Sequence, residues 1–135
     1  MHLPPWIFGV ASIVSIITEP TSRTKDLENL RLVTGIELTE LVVSSTMGYG
    51  DPPPKGAGFS VFRADRHYKF YGSESWGAEG PYRVDFDQVC VDTSRPWCFK
   101  VYANRKHRYF IVSANGAADQ FQSVTFHHLQ PGERI

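Results

Sequence analysis

Cysteine is nearly absent from this chain: Cys90 and Cys98 are the only two among 135 residues. That excludes a disulfide-dense scaffold and leaves at most one bond or half of a metal site. A surplus of charge is missing too, since 14 Lys and Arg balance 14 Asp and Glu. A neutral chain has no global field, so composition makes nucleic acid and an anionic membrane weak default partners. No C-x-x-C redox pair and no G-x-S-x-G nucleophile elbow occurs. No cofactor, metal or catalytic residue is therefore expected. The uncharged apolar stretch at residues 6–17 (WIFGVASIVSII) falls short of the about 20 residues that cross a bilayer as a helix.

What the chain does have is aromatic side chains, 9 Phe, 6 Tyr and 3 Trp, with 11 Gly and 9 Pro placed mostly between apolar runs. Aromatic and β-branched side chains suit a pleated, half-buried surface, and Gly and Pro suit the turns between short strands. The 6–17 run has the length of a secretory h-region, although no Lys or Arg precedes it and no A-x-A site follows. Glu19, Pro20 and Ser22 supply a polar break. Residues 1–23 thus read as a signal-like segment, or as an N-terminal anchor that is not removed. Residues 24–33 read as a linker containing Leu27, Leu30 and Leu32, residues 34–129 as one β domain, and 130–135 as a tail. Thr34-Gly35-Ile36-Glu37 has the T-x-x-E form of a capping box. Ile36, Leu38, Leu41 and Val42 then predict an apolar stripe on a short helix that lids the sheet. Ser44, Ser45 and Thr46 are expected to end that helix. Residues 48–58, with Pro52-Pro53-Pro54, are expected to form an exposed, stiff loop.

From Phe59 the apolar period is two. Ser60, Phe62, Tyr68 and Phe70 share a face if Ala64-Asp65-Arg66 turns the chain. Tyr82 and Val84, Val89 and Val91, Trp97, Phe99 and Val101, Tyr109 and Ile111, and Val124 and Phe126 continue the alternation. This predicts a mainly β fold of about seven antiparallel strands, a small barrel or sandwich with one short N-terminal helix. In the hairpin around Ser94, Pro96 has no N–H and belongs at a non-hydrogen-bonded position. Counting from there, Val91 faces Trp97 and Cys90 faces Cys98 at the close spacing a disulfide needs. The same register turns the cysteines away from the core face. They read as a staple.

Candidate chemistry is sparse. His127 and His128 are adjacent and point to opposite faces of a strand, and His67 and His107 lie at turn ends, so no zinc set forms. Asp85, Asp87 and Asp92 read as turn and surface residues, Glu37 as the capping partner, and Glu40 as a helix residue. The strongest local asymmetry is basic: Arg95, Lys100, Arg105, Lys106 and Arg108, with His107, Tyr102, Tyr109 and Phe110 interleaved and no acid among them. It is a candidate contact for an anionic partner. Trp76, in the loop Ser73-Glu74-Ser75-Trp76-Gly77, is a candidate loop contact because it has no strand partner in the pattern.

The segments Gly80-Pro81-Tyr82-Arg83-Val84, Val89-Cys90-Val91 and Cys98-Phe99-Lys100-Val101-Tyr102, following a helix that begins Thr34-Gly35-Ile36-Glu37-Leu38, resemble a pattern in small exported bacterial proteins of unknown function. The resemblance spans about residues 34–129 and implies a periplasmic or envelope location. Two function classes follow. One is a non-enzymatic binding module for an envelope protein, a glycan or a small apolar ligand, with membrane proximity if the N-terminus stays attached. The other is a small hydrolase-like enzyme that uses His67 or His107 with a carboxylate near the helix lid. A pocket joining a His, a carboxylate and a hydroxyl would favour the enzyme.

Overall fold

The computed structural model describes residues 26–72, 78–114 and 120–131. The signal-like segment, Trp76 and the turn expected at 116–119 lie outside them. In chain order the elements are β1 (Arg31–Leu32), α1 (Gly35–Val42), β2 (Ser45–Tyr49), β3 (Phe59–Phe62), β4 (His67–Tyr71), β5 (Glu79–Val84), β6 (Val89–Val91), β7 (Trp97–Ala103), β8 (Tyr109–Ser113) and β9 (Gln122–His128). Strands β2 to β9 follow one another around a closed antiparallel barrel, and β9 pairs back with β2. Among the described residues the fold is mainly β with one short helix, as expected, and it is a barrel rather than a sandwich. β9 pairs with β8 through its first residues and with β2 along Val124–His128, so the strands run at a steep tilt.

Two strands exceed the expected seven. Ser45–Tyr49, read as the helix end and the start of a loop, is β2, the strand that closes the ring. Ser44 takes a positive φ of 61°, which reverses the chain between α1 and β2. Ser45 still caps the helix as expected, its hydroxyl donating to the Val42 carbonyl. β1 falls inside the stretch read as linker. It lies beside Tyr102 and Ala103 on β7, in the lane that the three-residue β6 leaves empty. There it satisfies backbone groups that would otherwise face water alone. Val33 continues it, donating its N–H to Val101 at 2.8 Å, and is fully buried.

The barrel interior is filled by Phe62, Tyr68, Tyr82 and Phe99 with Met47, Val89, Val91, Val101, Ile111 and Val124. Phe62 sits at the centre, 5.1 Å from Tyr68, 5.2 Å from Tyr82 and 6.1 Å from Phe99, ring centroid to centroid. Gly80 is required by a close approach: a Cβ there would run into the carbonyl oxygen of Asp92, just past the end of β6. Helix α1 packs against β2, β5 and β9. β5 and β9 are on opposite walls of the ring, so the helix crosses the mouth. Leu38 and Val42 point in, and Leu41 packs beside them. Ile36, expected in the same stripe, is 77% exposed. Two residues along a helix is a rotation of about 200°, so Ile36 and Leu38 cannot share a face.

The capping box also fails to form. No side chain caps the helix N-terminus at Thr34. The Glu37 carboxylate instead accepts two bonds from the Arg31 guanidinium at 2.8 and 2.7 Å, and that pairing holds its pKa below the ordinary carboxylate value. The Gly35 N–H is satisfied by the Phe86 carbonyl at 2.7 Å. Gly35 itself adopts φ 60°, a left-handed conformation that glycine takes without strain.

Candidate functional site

An up-and-down barrel alternates its connections between two ends. The β3–β4, β5–β6 and β7–β8 turns therefore gather at the end that α1 covers, called the lid end below. Phe86 stands at the tip of the β5–β6 turn and is 72% exposed, facing the start of α1. Ile36 and Phe86 border a shallow cavity of about 340 Å³ completed by Gly35, Thr39, Val84 and Asp85. Among the described residues these are the two large apolar side chains left in water. Sequence reasoning missed both as site residues. The available signals were the 200° offset of Ile36 and an aromatic set between Asp85 and Asp87 in a turn, where no strand partner can cover it.

The basic residues are brought together only in part. Arg95 lies in the β6–β7 turn, separated from Arg105 by the seven residues of β7, roughly 20 Å of strand. Lys100 is on the outer wall, 3.5 Å from the Asp87 carboxylate. Arg108 reaches both Asp26 and Asp51 at 3.6 Å. Arg105, Lys106 and His107 occupy the β7–β8 turn at the lid end, all three exposed. Asn104 builds that turn. Its side-chain oxygen accepts the N–H groups of Lys106 and Arg108 at 2.9 and 3.0 Å, and its amide donates to the Asp26 carbonyl at 3.0 Å. Among the described residues no ion pair engages Arg105 or Lys106.

At the other end of β7, Cys90 and Cys98 are disulfide-bonded with Cα atoms 4.0 Å apart. The expected register holds: Val91 faces Trp97 and Val89 faces Phe99. The bond lies on the outer wall in a groove of about 490 Å³ lined by Arg83, Gln88, Asp92, Pro96 and Trp97. Cys90 is buried, and the Gln88 amide lies 3.5 Å from its sulfur.

The histidines make no catalytic constellation among the described residues. His67 Nε2 lies 2.8 Å from a Glu79 carboxylate oxygen, and this bond lowers the pKa of Glu79. Neither residue lines the two cavities above. His128 bonds the Glu40 carbonyl at 2.7 Å and so ties β9 to the helix. No group of three His, Cys, Asp or Glu residues is spaced to hold a metal among the described residues. Inside the barrel, the buried Ser60 hydroxyl lies 2.9 Å from the Tyr68 phenol and 3.4 Å from that of Tyr49. Burial pushes the Tyr68 pKa up to about 12 and raises that of Tyr49, which keeps both phenols protonated. They serve as hydrogen-bonding groups, not as bases.

No protein-family model matches the chain, and no curated protein or solved structure matches it.

Proposed function

We propose that this protein is an exported, non-enzymatic binding module of the bacterial envelope that meets its partner with the lid end of the barrel. One observation carries the reading: Ile36 and Phe86, 77% and 72% exposed, flank a concavity at the lid end. An exposed aromatic paired with an exposed branched aliphatic costs solubility and is characteristic of contact surfaces. Arg105 and Lys106 at the same end supply the polar rim that such surfaces carry. The single disulfide suits an oxidising compartment, as does the resemblance to small exported proteins. The enzyme reading has His67 beside Glu79 for support, but that pair lines neither of these cavities, and among the described residues no hydroxyl nucleophile is in hydrogen-bond contact with it.

The test is fractionation of native cells that express the full chain and an Ile36→Ser/Phe86→Ser variant. The reading expects the wild type to accompany the envelope fraction and the double variant to be released while it remains folded. Equal retention of both would contradict it.

A further inference from the structure

We infer that the Cys90–Cys98 bond is a thiol–disulfide exchange site, opened at Cys98 by a small thiolate that enters the groove on the outer wall. The site is separate from the lid end and stands or falls without it. Its two sulfurs are presented unequally. Cys90 is 4% exposed, whereas Cys98 on β7 is only partly buried. A groove of about 490 Å³ runs over both. A disulfide exchanges when a thiolate attacks one sulfur along the S–S axis and expels the other, and access decides which sulfur is attacked. The bond joins facing residues of β6 and β7, so its two ends open toward different neighbours. Behind Cys98 lies the β8 side, where Ala114 donates its N–H to the Cys98 carbonyl at 3.0 Å and brings only a methyl group to the groove. Behind Cys90 lies β5, where the register partner is Arg83, with a long side chain on the same face. The open approach is therefore the one over Ala114, onto Cys98.

The leaving group is prepared on the other side. Gln88 Nε2 donates to the Cys90 sulfur at 3.5 Å. Arg83 brings a guanidinium to the same face, its Nε held by Asp85 at 3.2 Å. Burial alone would raise the pKa of a Cys90 thiol, and these two contacts work against it; a thiol of lower pKa leaves faster. The Asp92 carboxylate in the same groove disfavours a thiolate, and Lys100 on the same wall is turned to Asp87. Selection thus rests on access and direct contact, not on net charge. In the step, the incoming sulfur bonds Cys98 Sγ as the Cys90–Cys98 bond breaks, and the electron pair departs on Cys90 Sγ. The incoming thiolate is oxidised into a mixed disulfide on Cys98, and Cys90 is reduced to a thiolate. A groove of this volume admits a thiol of tripeptide size, whose body then occupies it.

The experiment mixes the oxidised full chain with reduced glutathione, quenches with acid at early times and locates the adduct by peptide mass spectrometry. The adduct should sit on Cys98 with about tenfold preference over Cys90. Its rate should be unchanged by urea below the unfolding transition, as exchange in the folded state requires. Ala114→Leu should slow adduct formation about tenfold and Gln88→Leu about threefold, with native dichroism retained. An adduct shared equally between the cysteines, or carried by Cys90, would overturn the assignment. So would an adduct that forms only once urea opens the fold, or a wild-type rate in a folded Ala114→Leu variant. Should that variant fail to fold, the position of the adduct on the wild-type chain still decides.

Discussion

Ser60 carries a hydroxyl in the barrel interior, where an unpaired polar group is costly, and the two phenols of Tyr49 and Tyr68 meet it there. The consequence is measurable at high pH. An exposed tyrosine loses its proton near 10, whereas burial holds that of Tyr68 to about 12. The folded pKa lies above the unfolded one, so the contribution of Tyr68 to stability is complete below about pH 10 and is lost as pH rises toward 12. Denaturant midpoints taken across that window should fall less steeply for Tyr68→Phe than for the wild type. Glu37 behaves in the opposite sense. Its pKa is lowered by Arg31, so its contribution is present above the ordinary carboxylate range and is lost as pH falls through the folded value. The pair is about half exposed, which limits its worth to about 1 kcal/mol. Glu37→Gln should remove this acid-side dependence with little other change. Single residues are also where the sequence misled. T-x-x-E predicts a capping partner, but nothing local reveals that Arg31, on a strand six residues earlier, will claim the carboxylate.

Among the elements, the β6–β7 hairpin was the most legible. Strict alternation on both strands and one proline without an N–H permit a single register, and Val91–Trp97 and Cys90–Cys98 adopt it. The disulfide closes a short loop, for which chain entropy gives roughly 2–3 kcal/mol. Cys90→Ala/Cys98→Ala should lower the unfolding free energy by about that amount and leave the far-ultraviolet dichroism unchanged. The intact protein should also gain two hydrogens in mass on reduction. β2 was not legible, because Ser45, Thr46 and Gly48 give it a turn-like composition. Its strand character comes from pairing with β3 and β9, which are distant in sequence. Helix α1 was legible as an element but not in its facing. Leu38→Ala should cost about 2–5 kcal/mol. Ile36→Ser should change stability by about 0.5 kcal/mol or less. Chemical denaturation of the two variants side by side checks the facing directly.

For the whole molecule, closure is the organising fact. β9 pairing with β2 leaves no open sheet edge in the ring, and α1 covers one mouth, so recognition must come from an end or from the outer wall. The basic patch was visible in the sequence as a cluster, but the fold spreads it along β7 and pairs Lys100 and Arg108 with acids. What remains together is Arg105, Lys106, Ile36 and Phe86 around the lid. Linear spacing could not reveal that grouping, because 50 residues separate Ile36 from Phe86. The most direct measurement of the account places a photo-crosslinking side chain at Phe86 in one variant and at Asp92, in the β6–β7 turn at the opposite end, in another. Irradiation of the native envelope should give discrete adducts from position 86 and none from position 92. Equal adducts from both positions, or adducts from 92 alone, would contradict the lid end as the contact face.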